Sequence, residues 1–311
     1  MLGPALLSAS RSPKLRHFVS TTKPTKRVVD RFVAGENLDQ AMVAVADLSS
    51  RGIAVTLDHL GEGVTSQTGA LASRDAYLRA IEALGAAGYG TRAEVSVKLS
   101  AFGQALGGSA DGHDLALANV TPVVEAAAAV GTTVTLDMED AHTVDSTLAI
   151  LHTLRAAHPA TGAVLQSYLH RTPDDAKALA TAGSRVRLVK GAYREDPAVA
   201  LQSKADVDGA YRECMGILMR GDGYPMVGSH DPAMISNALD LAQQTARTRD
   251  SYEFQMLYGI RVPEQNRLAA DGYLVRAYVP FGSDWYGYFM RRLAERPANV
   301  LFFLRALTSR K

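Results

Sequence analysis

Apolar and polar positions follow two alternating rhythms along this chain. From about residue 38 onward, stretches with apolar residues at helical spacing alternate with short runs rich in Val, Leu and Ile. These are the two periodicities that distinguish amphipathic helices from buried strands. The pattern predicts helices over 40–50, 73–87, 114–131, 146–158, 172–182, 198–220, 231–247, 263–270 and 287–307. Between them it predicts strands over 53–57, 94–100, 133–137, 163–168, 185–190, 225–229, 252–257 and 273–278. Local signals mark several ends. Ser73 reads as an N-cap, with Gly88 or Gly90 as the stop of the same helix. Thr172-Pro-Asp-Asp opens another helix with proline at its first position.

Strict strand–helix alternation predicts a parallel sheet in an α/β protein, and eight such units predict a closed (β/α)8 TIM-like barrel. An open, doubly wound sheet is the alternative, because alternation alone does not prove closure. The strands share a habit: they end in Asp58-His59, Lys98, Asp137 and Glu139, Gln166 and Tyr168, Lys190, His230, Gln255 and Tyr278. In a barrel, function sits at the carboxyl ends of the strands. The expected organisation is a basic N-terminal arm and helical segment over 1–37, then one barrel over 38–311.

Composition narrows the class. Hydrophobic content of 47% and charged content of 21% describe an ordinary globular chain. A net charge of +1 gives no general pull toward nucleic acid. The single cysteine, Cys214, excludes an internal disulfide and a cysteine-based zinc site, and fits a reduced, cytoplasmic setting. Arg11, Lys14, Arg16, Lys23, Lys26 and Arg27 precede the barrel without a long apolar stretch, which makes a poor secretory signal. A basic arm is the favoured reading, and contact with anionic lipid the minority one.

The candidate chemistry starts at Arg187-Leu-Val-Lys-Gly-Ala-Tyr193. A plain core strand avoids cations, yet this one carries Arg187 and Lys190 and then breaks into glycine. It reads as a site for an anionic, planar ligand. Gly61-Glu-Gly63-Val-Thr-Ser66 resembles a dinucleotide fingerprint, but a loop bearing a gate-like Glu62 is as good a reading. His230 reads as a base, a metal ligand or a hydrogen-bonding residue, and Asp137, Glu139 and His230 together would suit a metal-dependent barrel hydrolase. Arg291-Arg292 with Glu295 is either a solvated helix face or a carboxylate clamp. Trp285 and Tyr286 read as packing or as a cap on the barrel mouth. Asp140 and His170 read as loop residues.

Four motifs together resemble the proline dehydrogenase family in its monofunctional bacterial form. They are Arg187-Leu-Val-Lys-Gly-Ala-Tyr193, Glu253-Phe-Gln-Met-Leu-Tyr-Gly-Ile-Arg261, Tyr278-Val-Pro-Phe-Gly282 and Tyr288-Phe-Met-Arg-Arg-Leu-Ala-Glu295. The resemblance runs from about Ile53 to Leu307. It implies a distorted (β/α)8 barrel with extra N-terminal helices, no metal, and noncovalent FAD that oxidises L-proline to Δ1-pyrroline-5-carboxylate. It also implies site roles. Gln166, Arg187, Val189, Lys190, Gly191, Ala192, Ser229, His230 and Gln255 would hold the flavin. Lys98, Arg291 and Arg292 would bind the substrate carboxylate; Tyr278, Tyr288 and Leu257 would pack on its ring, with Asp137 close by. Glu62 would gate the site by pairing with Arg291, and Glu295 would lock the arginine pair. Electrons would pass to a membrane quinone, with peripheral contact at the inner membrane face, and the product to a separate pyrroline-5-carboxylate dehydrogenase. Two departures stand out. Gly228-Ser-His-Asp231 replaces the more usual Ala-Thr-His-Asn, and Tyr278 stands where hydroxyproline-preferring relatives carry a small residue.

Overall fold

The computed structural model describes residues 29–295 apart from Glu62; the side chains of Ser109, Ala110 and Arg291 to Glu295 lie outside that description. The chain forms α1 (Leu38–Ser50), β1 (Ala54–His59), α2 (Gln67–Ala86), β2 (Ala93–Lys98), α3 (Ser109–Ala129), β3 (Val134–Asp137), α4 (Val144–Ala157) and β4 (Gly162–Gln166). It continues with α5 (Thr172–Leu179), β5 (Arg185–Val189), α6 (Lys204–Arg220), β6 (Tyr224–Gly228), α7 (Pro232–Gln244), β7 (Glu253–Leu257), α8 (Val262–Ala270), β8 (Val275–Phe281) and α9 (Trp285–Glu295). The strands pair in chain order, all parallel, into a closed barrel. β8 returns to β1 from Ala54–Arg276 through His59–Phe281, so the open-sheet alternative is wrong.

Each strand faces two environments. Outward residues such as Val55, Leu57, Val95, Val97, Leu188 and Val227 are fully buried against the helices. α6 answers with Tyr211, Cys214, Met215 and Leu218, one apolar stripe at helical spacing. The inward positions are instead polar. Thr56, Asp58, Glu94, Ser96, Thr135, Asp137, Arg187, Glu253, Gln255 and Arg276 are all buried inside the barrel. A second apolar cluster joins the N-terminal segment to α9: Val29, Phe32 and Val33 pack with Leu60, Trp285, Tyr286, Tyr288, Phe289 and Met290.

Several predicted boundaries move. Ser66, whose hydroxyl accepts from the Gly69 N–H, caps α2; Ser73 is buried inside that helix. The Gln67–Leu71 turn has little apolar periodicity, so the cap and not the pattern sets the start. α6 starts at Lys204 behind Ser203, not at Ala198, because Ala200 forms a bridge with Leu169. α3 begins at Ser109, five residues before the predicted start. β8 extends to Phe281, which places Tyr278 within the strand. The predicted end of the last helix at Leu307 lies outside the described residues.

Candidate active site

Strand register brings the candidate residues together. Lys98 lies beside Asp137 on β2 and β3, Gln166 beside Val189 on β4 and β5, Gly228 beside Gln255 on β6 and β7, and Leu257 beside Tyr278 on β7 and β8. All of these face the barrel mouth or the interior beneath it.

A charged chain crosses that mouth. Arg187 Nη1 donates to Asp137 Oδ1 at 2.7 Å and to Ser96 Oγ at 3.1 Å, while its Nε donates to the Gln255 side-chain carbonyl. Asp137 Oδ2 accepts from the Tyr278 hydroxyl at 2.7 Å. That hydroxyl accepts in turn from Lys98 Nζ at 3.1 Å, and Lys98 also reaches both oxygens of Asp58 at 3.0 Å. The Tyr278 ring lies between two cations, with Lys98 Nζ 5.7 Å and the Arg187 guanidinium carbon 5.3 Å from its centroid. Burial, followed by the charges of Asp137 and Asp58, pushes the Tyr278 phenol well above its usual range, so it is a donor at any physiological pH.

Beneath this chain lies a second ionic layer. Glu94 Oε2 accepts from Arg185 at 2.8 Å, and Glu253 Oε1 from Arg276 Nε at 2.7 Å. Arg187 Nη2 stands 3.6 Å from Glu94 Oε1. Burial alone would raise the Glu94 carboxyl, but Arg185, Arg276 and Arg187 outweigh it and hold the group ionised, far below the usual carboxylate range. The layer closes the lower barrel and supports Arg187 and Gln255 from below.

On the β5–β6 side the mouth has a smooth floor. Gly228 is the inward residue of β6, and a Cβ there would lie 2.7 Å from Val189 Cγ1 and 2.8 Å from the Leu188 carbonyl. Gly191 follows β5 at φ +115°, with Tyr168 behind it; a Cβ would lie 2.2 Å from the tyrosine ring. Gln166 is held by donating to the Glu139 carbonyl at 2.7 Å. Bare backbone, two amide side chains and a buried guanidinium suit a flat, hydrogen-bonding ring such as the isoalloxazine of FAD.

The departure at Asp231 has a local explanation. Its Oδ1 caps α7 by accepting from the Ala233 N–H at 3.0 Å, and its Oδ2 accepts from Lys190 Nζ at 2.7 Å. Lys190 also reaches Asp208, which Lys204 contacts from the other side. The bond from Lys190 holds the Asp231 carboxyl below the usual range, so its extra charge is neutralised where it stands. Ser229 Oγ accepts from the Asp231 N–H at 3.1 Å. His230 Nε2 accepts from the Leu257 N–H at 2.8 Å, and the His230 carbonyl accepts from Arg261 at 2.8 Å. The sixth- and seventh-strand motifs are therefore tied to each other.

One sequence reading changes here, that of a metal site. Asp137, Glu139 and His230 do not converge as metal ligands: Asp137 serves the arginine, Glu139 accepts from Ser100 at 2.7 Å, and His230 serves strand seven. Tyr288, Trp285 and Tyr286 belong to the apolar cluster shared with the N-terminal segment, and Trp285 Nε1 donates to Glu36 at 3.0 Å. Glu62 and the side chains of Arg291, Arg292 and Glu295 lie outside the described residues. Sequence reasoning missed Glu94, Ser96, Glu253, Arg276 and the counter-ion role of Asp58. The signal was there in Glu94-x-Ser-x-Lys98, Thr133-x-Thr-x-Asp137 and Glu253-x-Gln255: polar residues at period two inside strands mark the barrel interior.

Comparison with known proteins agrees with this arrangement. Residues 41–305 match the family model described as proline dehydrogenase. A proline dehydrogenase of Deinococcus radiodurans is 39% identical over 305 residues, covering 97% of this chain and 96% of that protein. Proline dehydrogenase 1 of Bacillus subtilis is 34% identical over 307 residues, covering 99% of each. Among solved structures, proline utilization A from Bdellovibrio bacteriovorus, inactivated by N-propargylglycine, superposes with a TM-score of 0.80 at 25% identity. That match takes in 87% of this chain and about a third, 33%, of the longer one. A family match over most of the length, beside relatives of more than 30% identity covered almost end to end, makes this chain a member of the proline dehydrogenase family.

Proposed function

We propose that this chain oxidises L-proline to Δ1-pyrroline-5-carboxylate, the first step of proline catabolism, with FAD held in the barrel mouth. The observation that carries the reading is the Lys98–Tyr278–Asp137–Arg187 chain standing beside the Gly191 and Gly228 floor, in a member of this family. When bound, FAD supplies the hydride acceptor, and a membrane quinone takes its electrons.

The chain's own residues do the rest. Gln166, Arg187, Val189, Lys190, Gly191, Ala192, Ser229, His230 and Gln255 would hold the cofactor. Cations near the ring favour the negative charge it gains on reduction. Lys98, Arg291 and Arg292 bind the substrate carboxylate, and Tyr278, Tyr288 and Leu257 bound its ring. This fixes one carbon against the acceptor, and hydride transfer depends on that orientation more than on acid–base strength. Glu62 and Glu295 act with the arginine pair as gate and lock. We assign residues 38–311 to the catalytic barrel and residues 1–37 to a basic segment ahead of it. The product passes to a separate dehydrogenase, and contact with the membrane is peripheral; no helix among the described residues is long and apolar enough to cross one.

The test is an absorbance spectrum of the purified chain with and without substrate. Near-ultraviolet and blue flavin bands that bleach on adding L-proline are the expected result. A chain without those bands, or with bands indifferent to L-proline, overturns the reading.

A further inference from the structure

Asp58, the counter-ion of Lys98, is the most deeply buried of the described acids at the mouth, only 1% exposed. An ionised carboxylate in such a place is costly unless paired and hydrogen-bonded. Its pairing is specific. Both oxygens lie 3.0 Å from Lys98 Nζ, against 3.5 Å from that ammonium to Asp137 Oδ2. Behind it, Tyr77 of α2 brings a fully buried hydroxyl to 3.3 Å from Asp58 Oδ1. The hydroxyl accepts from the His59 N–H at 3.2 Å and shares its one hydrogen between Asp58 and the Ser96 carbonyl at 2.9 Å.

We propose that Asp58, held by Tyr77, is a positioning residue that aims the Lys98 ammonium at the substrate carboxylate. The proposal rests on the proline-oxidising reading above. A lysine ammonium is a point charge on a flexible stem and has little orientation of its own. Around it stand Asp58 from β1, Asp137 from β3, Arg187 from β5 and Tyr278 from β8. Without the charge on Asp58, the nearest described carboxylate is Asp137, which already accepts from Arg187, Ser96 and Tyr278. The ammonium is then left to the more distant Asp137. Asp58 fixes it instead with a two-oxygen contact, and Tyr77 backs that carboxylate from α2. An outer helix thereby sets the direction of a substrate-binding cation.

The test uses the flavin-loaded full chain and two variants, Asp58→Asn and Tyr77→Phe. The measurements are steady-state kinetics with L-proline and the Kd of tetrahydrofuran-2-carboxylate, which keeps the carboxylate and lacks the amine. For Asp58→Asn, KM and Kd are expected to rise about 10-fold, as for a lost charge-assisted contact, while kcat stays within about 3-fold. Tyr77→Phe shifts KM and Kd in the same direction by about 3-fold, and it carries the test alone if Asp58→Asn does not fold. Flavin content and reduction by dithionite remain as in the unmodified chain. Unchanged or lowered KM and Kd in the folded variants overturn the positioning role, as does a loss confined to flavin content. If L-proline fails to bleach the flavin of the unmodified chain, the proposed function falls, and the positioning role with it.

Discussion

The Tyr278 hydroxyl on β8 donates to Asp137 Oδ2 on β3 at 2.7 Å, a bond across the barrel between strands that are not neighbours. Because the same oxygen accepts from Lys98, the phenol relays between a cation and an anion. Tyr278→Phe keeps the ring between Lys98 and Arg187 and removes only the relay. The expected outcome is a stability loss of about 1–2 kcal/mol by urea unfolding, with kcat/KM for L-proline lowered about 10-fold. Full stability would show that Asp137 is satisfied without the phenol.

Arg187 is 4% exposed and binds Asp137, Ser96 and Gln255 at once. Arg187→Met leaves a buried carboxylate without its strongest partner. Removing one side of such a pair costs about 3–5 kcal/mol, read as a lowered denaturation midpoint. Flavin content should fall with it.

Glu94 governs part of the acid stability. Its ordinary value is 4.5, and the three arginines hold the folded-state value far below that, against the opposing effect of burial. The folded value being the lower one, the ionised group stabilises the fold above pH 4.5, and that contribution drains away as pH falls below it. Glu94→Gln is expected to be less stable than the unmodified chain at neutral pH. Its unfolding midpoint should also fall less steeply between about pH 5 and pH 2, measured by circular dichroism across that range.

Gly191 is the sharpest backbone constraint of the floor. Gly191→Ala must adopt φ +115° and meet the Tyr168 ring, at a cost on the order of 1–3 kcal/mol. Combining it with Tyr168→Ala removes the clash and leaves the backbone term. The double variant should therefore recover part of the flavin affinity, measured by fluorescence titration.

Asp231 separates its cap from its charge. Asp231→Ala loses the bond to the Ala233 N–H and should cost about 1 kcal/mol, whereas Asp231→Asn keeps a capping oxygen and should cost less than half of that. Thermal unfolding of the pair distinguishes them. Equal losses would mean that the contact with Lys190 matters more than the cap.

The barrel was legible in the chain because helices and strands alternate with distinct periods and Gly or capping residues separate them. Element starts were less so. Ser66 and Ser73 are equally good N-caps by residue type, and only the fold shows which one has an amide to accept from. The candidate site was legible where a motif broke a local rule, as at Lys190-Gly191. It was opaque where a residue acts across the barrel. Glu94 and Arg185 are 91 positions apart in the chain, and nothing local in either strand announces the other. Asp58 was visible as a polar strand end, but its partner Tyr77 sits on an outer helix, at a position that sequence periodicity assigns simply to the core.

The lower ionic layer also bears on the order in which this protein takes shape as it leaves the ribosome. The first four strands emerge carrying Glu94, Asp58 and Asp137 among their inward residues. Arg185 and Arg187 arrive only with β5, and Arg276 only with β8. Until then Glu94 has no arginine to meet, and water remains its better solvent. A half-barrel cut after β4 would offer that carboxylate the hydroxyls of Thr56, Thr133 and Thr135 but none of its three arginines, which makes it a poor stopping point. The expectation is a barrel that closes with its last strand and assembles as one cooperative unit rather than as two halves that fold in turn.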